Sequence, residues 1–134
     1  MDVVAWPGYR PPDVFWDARK DCIPFDNNCI EEIYMGYLLM HVGPRYHTRL
    51  LAEVHRVLSP TGYLIVGEVD MPIVMKRWMD DPSLHLGELI WGERGSVHGE
   101  AMAEWDQHCW GFTGRSLRKL LTEHRFKDIT RISI

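Results

Sequence analysis

The feature that most constrains this chain is a helix-patterned run set between two β-patterned runs and stopped by a proline-glycine turn. From Arg45 to Leu58 the apolar residues Leu50, Leu51, Val54, Val57 and Leu58 recur at offsets 0, 1, 4, 7 and 8, one stripe of an amphipathic helix. Ser59-Pro60-Thr61-Gly62 stop that helix, because proline cannot continue the hydrogen-bond ladder and glycine supplies the positive φ of a turn. Before it, Cys29 to Met35 reads as a strand; Ile30, Ile33, Tyr34 and Met35 do not alternate cleanly, which suits a strand covered on both faces. After it, Tyr63 to Val69 reads as a buried strand, with Glu68 and Asp70 at its carboxyl end. A strand, a helix and a second strand make a βαβ unit with a right-handed parallel crossover. The chain is therefore expected to be an α/β domain with a mostly parallel sheet.

The flanks add shorter elements. Met1 to Val4 suggests a brief strand, and Pro7, Gly8, Pro11 and Pro12 make the loop after it. The β-prone Val14, Phe15 and Trp16 predict a short strand delivering Asp17 at its carboxyl end. Helices are expected over Pro72 to Met79 and Pro82 to Ile90, with Pro82 in the first turn, and Gly92 to Gly99 as a flexible connection. Thr113 can cap a helix running to about His124, with Leu117, Leu120 and Leu121 on its inner face. Phe126 to Ile134 reads as a last strand. With no internal repeat or low-complexity tract, residues 1–134 read as one domain.

Composition removes several function classes. The chain has 134 residues, 46% hydrophobic and 25% charged, which fits one globular core. Fifteen Lys and Arg against nineteen Asp and Glu leave a formal charge of −4, with the basic residues dispersed, so no nucleic-acid-binding face is indicated. Cys22, Cys29 and Cys109 are an odd set without C-x-x-C spacing, which points to free thiols in a cytoplasmic protein. No leader pattern opens the sequence and no apolar run is long enough to span a bilayer.

Specific residues carry a family likeness. Ile23-Pro24-Phe25-Asp26-Asn27-Asn28-Cys29-Ile30-Glu31-Glu32-Ile33-Tyr34 resembles the Leu-Pro-Phe…Asn-Ser-Phe-Asp-Glu-Ile-Tyr segment of class I S-adenosylmethionine-dependent methyltransferases. Leu38 to Val42 is similar to the Leu-x-His stretch that follows it. Ala52-Glu53-Val54-His55-Arg56-Val57-Leu58-Ser59-Pro60-Thr61-Gly62 resembles the family's Glu-x-x-Arg-Val-Leu-Lys-Pro-Gly-Gly helix and turn. Trp110-Gly111-Phe112-Thr113, with Leu117, Leu120, Leu121 and Phe126, is similar to the closing segment of one branch. The resemblance implies a Rossmann-like fold and methyl transfer from S-adenosylmethionine to an unidentified acceptor. It puts Asp2 where an acidic residue holds the ribose hydroxyls and Asp17 where another lies near the adenine amino group, with Ala18 and Arg19 along the same edge. A carboxylate suits both tasks, since it offers two acceptor oxygens and no competing donor. His41 and Asp70 would face the acceptor.

The departures shape the expectations. The family's first strand and Gly-x-Gly loop have no counterpart, so the domain reads as truncated at its N-terminal end. Glu31 stands where an Asp is usual, and Arg125 where a glycine would make a left-handed cap. Without the first strand, the strand at 30–35 has an edge to cover. The chain's own amino-terminal segment, a second copy or a separate protein could cover it, and a homodimer is the expectation. The alternative function is a degenerate methyltransferase-like domain without catalysis, acting as an interaction or regulatory subunit. A third reading is that residues encoded upstream complete the domain.

Other constellations are read more plainly. His41, His47 and His55 lack the i, i+4 spacing of paired ligands on one helical face, so no metal site is expected. Asp106, His108 and Cys109 cluster in sequence, with Cys109 read as a small core residue. Met71, Met75 and Met79 form a stripe that suits core packing or an adaptable contact surface. Trp91, Trp105, Trp110 and Phe112 could roof a pocket beyond the strand ends. Glu68 and Asp70 are the candidates there for orienting a polar acceptor.

Overall fold

The structure is a computed structural model that describes residues 13–92 and 107–132. Among these residues the elements are β1 (Ile30–Gly36), α1 (Leu38–Val42), α2 (Pro44–Val57), β2 (Leu58–Gly67), α3 (Met71–Asp80), α4 (Gly87–Trp91) and α5 (Gly114–Glu123). The two strands pair in parallel, in the register Ile33↔Leu64, Tyr34↔Ile65 and Met35↔Val66. This is the expected βαβ unit, with α2 as its crossover.

Register and burial together define the core. Ile33, Met35, Leu64 and Val66 share one sheet face and pack with Leu50, Leu51, Val54 and Val57 of α2. All four of those α2 residues are at most 1% exposed, and each side chain contributes about 1.5–3 kcal/mol by leaving water. On the opposite face Tyr34 and Tyr63 remain 65% and 54% exposed. The expectation of a strand covered on both faces is therefore corrected: β1 is covered on one.

The Ser-Pro-Thr-Gly turn does not separate helix from strand as the sequence suggests. β2 starts at Leu58, which pairs with Ile30, and Tyr63 pairs with Glu32, so Ser59 to Gly62 bulge out opposite Glu31. The bulge brings Gly62 against β1, where a Cβ would lie 2.8 Å from the Ile30 carbonyl oxygen. Only glycine fits that approach.

At the other end, Thr113 caps α5 as expected. Its Oγ1 accepts from the Ser116 amide at 3.0 Å, and the Thr113 amide donates to Ser116 Oγ at 2.9 Å, a reciprocal capping box. Arg125 adopts φ 70 after this helix, so arginine takes the left-handed position for which glycine is the expectation.

Several expected elements do not form. Val14 to Trp16 is a bend with a single bridge residue, Phe15, not a strand. Residues 82–86 are turn and coil, and helix begins only at Gly87; Pro82 follows an Asp81 whose carboxylate is already spent on the Ser83 amide and hydroxyl. Residues 126–132 run without strand pairing, held instead by Arg118 donating to the Ile129 carbonyl and by Arg131 on Asp70. The Met1 to Val4 strand, Trp105, Asp106 and most of the Gly92 to Gly99 connection lie outside the described residues.

Candidate functional site at the strand ends

The carboxyl ends of β1 and β2 are joined by the Tyr37 amide, which donates to the Gly67 carbonyl at 2.7 Å. Tyr37 takes φ 58, which turns the chain sharply into α1. The start of that short helix is held by Glu68, whose Oε1 accepts from the Leu39 amide at 2.9 Å. On the far side of the same residue, buried His47 bonds the Leu39 carbonyl through Nε2 at 2.8 Å. A carbonyl can only accept, so Nε2 carries the proton.

The next residue of α1 anchors a distant segment. The Met40 carbonyl accepts from the amides of Cys109 at 2.7 Å and Trp110 at 3.2 Å. His41 and His108 then meet edge to face, with ring centroids 4.7 Å apart. At the other end of this segment, Phe112 is buried against His47, bridges Asp70 and accepts from the Met71 amide at 3.0 Å. His41 and Asp70 thus flank one segment, residues 108–112. Asp70 Oδ2 also takes Arg131 at 2.8 Å.

Asp17 lies on a separate loop that the core pulls in, since Trp16, Ala18 and Ile23 belong to the same buried cluster as Met35 and Leu39. Its Oδ1 accepts the Arg19 amide at 2.9 Å and Arg19 Nε at 3.3 Å. Its Oδ2 is buried and, among the described residues, meets only the exposed Lys20 ammonium, at 3.2 Å and without hydrogen-bond geometry. Burial raises the Asp17 pKa, but the Arg19 amide and the Lys20 and Arg19 side chains outweigh it and hold the carboxyl below its ordinary value. Asp2 lies outside the described residues.

The loop after Asp17 is fixed by one ion pair. Arg56 Nη2 meets Glu53 Oε2 at 2.8 Å and also donates to the Ile23 carbonyl, while Nη1 reaches the Phe25 carbonyl and Asn27 Oδ1. Glu53 in turn accepts from the Ile23 amide at 2.9 Å. Glu and Arg three apart on one helix are the sequence signal for this clamp.

Two titratable groups near α1 are shifted. Burial pushes Glu68 up to about 7, opposed in part by the amides of Leu39 and Met40. Burial holds His47 below its usual value, which keeps it neutral and donating.

One expectation about neighbouring residues is corrected, and two others gain detail. Cys109 is exposed, not a core residue. Met75 and Met79 are 43% and 79% exposed, which fits the contact-surface alternative for the methionine stripe and not core packing. Trp91 and Trp110 are also exposed, and Trp91 packs edge to face on Trp78 at 5.7 Å. Sequence reasoning gave no role to His47 and no partner to His108; both depend on contacts between segments far apart in the chain.

An open groove of about 870 Å³ runs between β2 and α5, lined by Tyr34, Tyr63, Asp70, Phe112, Arg118 and Arg131 among others. Among the described residues no group of three or more His, Cys, Asp or Glu side chains is arranged to hold a metal ion. Nor is any described helix long and apolar enough to cross a membrane.

Comparison with known proteins agrees with this architecture. Residues 11–66 match the family model described as a methyltransferase domain. The crystal structure of an S-adenosylmethionine-dependent methyltransferase from Methanosarcina mazei shares the fold, with a TM-score of 0.56 and 24% identity over 84% of this chain and 53% of that one. This chain spans about half the length of that protein. No curated protein matches the sequence. The fold is of the Rossmann-like methyltransferase type. The matched segment and the shared fold thus make the chain similar to S-adenosylmethionine-dependent methyltransferases over residues 11–66 and in its architecture.

Proposed function

We propose that the chain binds S-adenosylmethionine along the Asp17–Ala18 loop and transfers its methyl group to an acceptor held near His41 and Asp70. The observation that carries this reading is Asp17 itself: a buried, ionised carboxylate in the matched segment with one oxygen bonded to Arg19 and the other, among the described residues, facing a displaceable lysine. An exocyclic amine would complete that second oxygen, and buried Ala18 would offer an apolar wall beside it. Asp2 would take the ribose hydroxyls. The cofactor, when bound, supplies an electrophilic methyl group. What remains for the protein is to align the acceptor and exclude water, and a positioned pair of reactants alone accounts for a large share of such a rate. His41 would hold a proton leaving the acceptor, and Asp70 would orient it.

Calorimetric titration with S-adenosylhomocysteine tests the reading. Saturable binding is expected, and no heat at millimolar ligand would contradict it.

A second reading, association with a second copy or a partner chain along the strand at 30–35, is favoured by the exposed Tyr34 and Tyr63 on the open sheet face. In it the domain works as an interaction or regulatory subunit, without catalysis. Sedimentation of the pure chain distinguishes the two: a monomer that binds the cofactor contradicts the second, and a dimer without affinity contradicts the first.

A further inference from the structure

We propose that Glu68 is the positioning residue of the candidate site, pinning the start of α1 and through it both His41 and the 109–110 segment. The geometry is a bracket around one peptide. Glu68 Oε1 takes the Leu39 amide at 2.9 Å, and His47 takes the Leu39 carbonyl at 2.8 Å. The next residue, Met40, offers its carbonyl to the amides of Cys109 and Trp110. α1 has five residues and its N-cap, Tyr37, provides no side-chain hydrogen bond. So short a helix has little stability of its own, and the carboxyl group does what a cap would do.

The second oxygen gives the bracket its pH dependence. Glu68 Oε2 is buried, and among the described residues none hydrogen-bonds to it. An ionised carboxylate with an orphan oxygen is penalised by burial far more than the neutral acid is. Because the docked carboxyl holds its proton up to about 7, the docked turn is favoured by proton uptake and loosened as the pH rises through that value. The other titratable groups around it are His41 on α1, whose ring packs on His108, neutral His47 on α2, exposed Cys109, and Asp70, which is tied to Arg131. None of them bonds the carboxyl. The inference concerns the turn itself and is independent of methyl transfer.

Nuclear magnetic resonance on the isotope-labelled chain tests it. The Glu68 side-chain carboxyl carbon should titrate with a midpoint near 7, and the Leu39 and Met40 amide signals should follow the same midpoint. In Glu68→Gln the carbonyl oxygen still accepts, so protection of the Leu39 amide from exchange should persist while the titration disappears. In Glu68→Ala the exchange of the Leu39 amide should rise about tenfold or more, with Ile33 and Tyr34 in β1 unchanged. A Glu68 midpoint at the ordinary carboxylate value, a titration that survives in Glu68→Gln, or full protection in Glu68→Ala would overturn the proposal. Should Glu68→Ala fail to fold, the wild-type carboxyl titration decides.

Discussion

Arg56 and Glu53 sit one turn apart on α2 and form a 2.8 Å ion pair around which the loop from Ile23 to Asn27 closes. The pair faces partly into solvent, so its weight lies less in Coulomb attraction than in the loop carbonyls and the Ile23 amide it satisfies. That loop leads directly from Asp17, which links a structural clamp to the candidate cofactor edge.

Replacing Arg56 with Lys should therefore loosen the loop without unfolding the core. A lysine lacks the planar fork that reaches Glu53, Ile23 and Phe25 together. Amide exchange at Ile23 should rise about tenfold, while amides of β2 stay protected. Equal exchange in variant and wild type would show that the clamp is dispensable.

Glu68 predicts an unusual stability profile. Its folded pKa is raised, so the native state binds a proton more tightly than the unfolded chain between 4.5 and about 7. Stability from this group is thus intact below the unfolded value and lost as pH rises toward the folded one. By pH 8 the loss amounts to about 3 kcal/mol. Urea denaturation of wild type and Glu68→Gln should show the variant gaining that much relative to wild type between pH 4 and pH 8. A constant difference across this range would contradict the shift.

The core at α2 makes a plainer prediction. Leu51 is 0% exposed in the cluster that joins α2 to both strands. Leu51→Ala should cost about 2–5 kcal/mol in chemical denaturation, because the cavity cannot collapse between helix and sheet. A cost under 1 kcal/mol would mean that the packing is looser than the contacts indicate.

Removing the reciprocal cap should cost less. Thr113→Ala leaves the Ser116 amide without its acceptor, and a loss of about 1 kcal/mol is expected. Circular dichroism during thermal unfolding measures it, and an unchanged midpoint would contradict the cap's role.

The legible parts of this fold are those with a local cause. The stripe at Leu50, Leu51, Val54 and Val57 is a property of one helix, and α2 runs Pro44–Val57 against an expected Arg45 to Leu58. Thr113 is likewise its own signal. The bulge at Ser59 to Gly62 was not legible, because a proline-glycine turn and an outward bulge share one composition, and only pairing with Ile30 distinguishes them. The expected last strand failed for a similar reason. Ile129 and Ile132 have β-prone side chains, but among the described residues no neighbouring strand pairs with them.

The site was legible in its carboxylates more than in its connections. Glu68 and Asp70 stand out as acids after a strand pattern, and Asp17 as the acid that closes the apolar run Val14 to Trp16. That Glu68 would turn back onto Leu39, or that His41 would meet His108, depends on contacts across 29 and more residues. No spacing rule reaches that far.

The most direct test of the account is a calorimetric comparison of S-adenosylmethionine binding by wild type and Asp17→Ala. The account predicts saturable binding by the wild-type chain and at least a tenfold weaker affinity, or none, in the folded variant. Equal affinity in the two proteins, or no binding by either at millimolar cofactor, would contradict it.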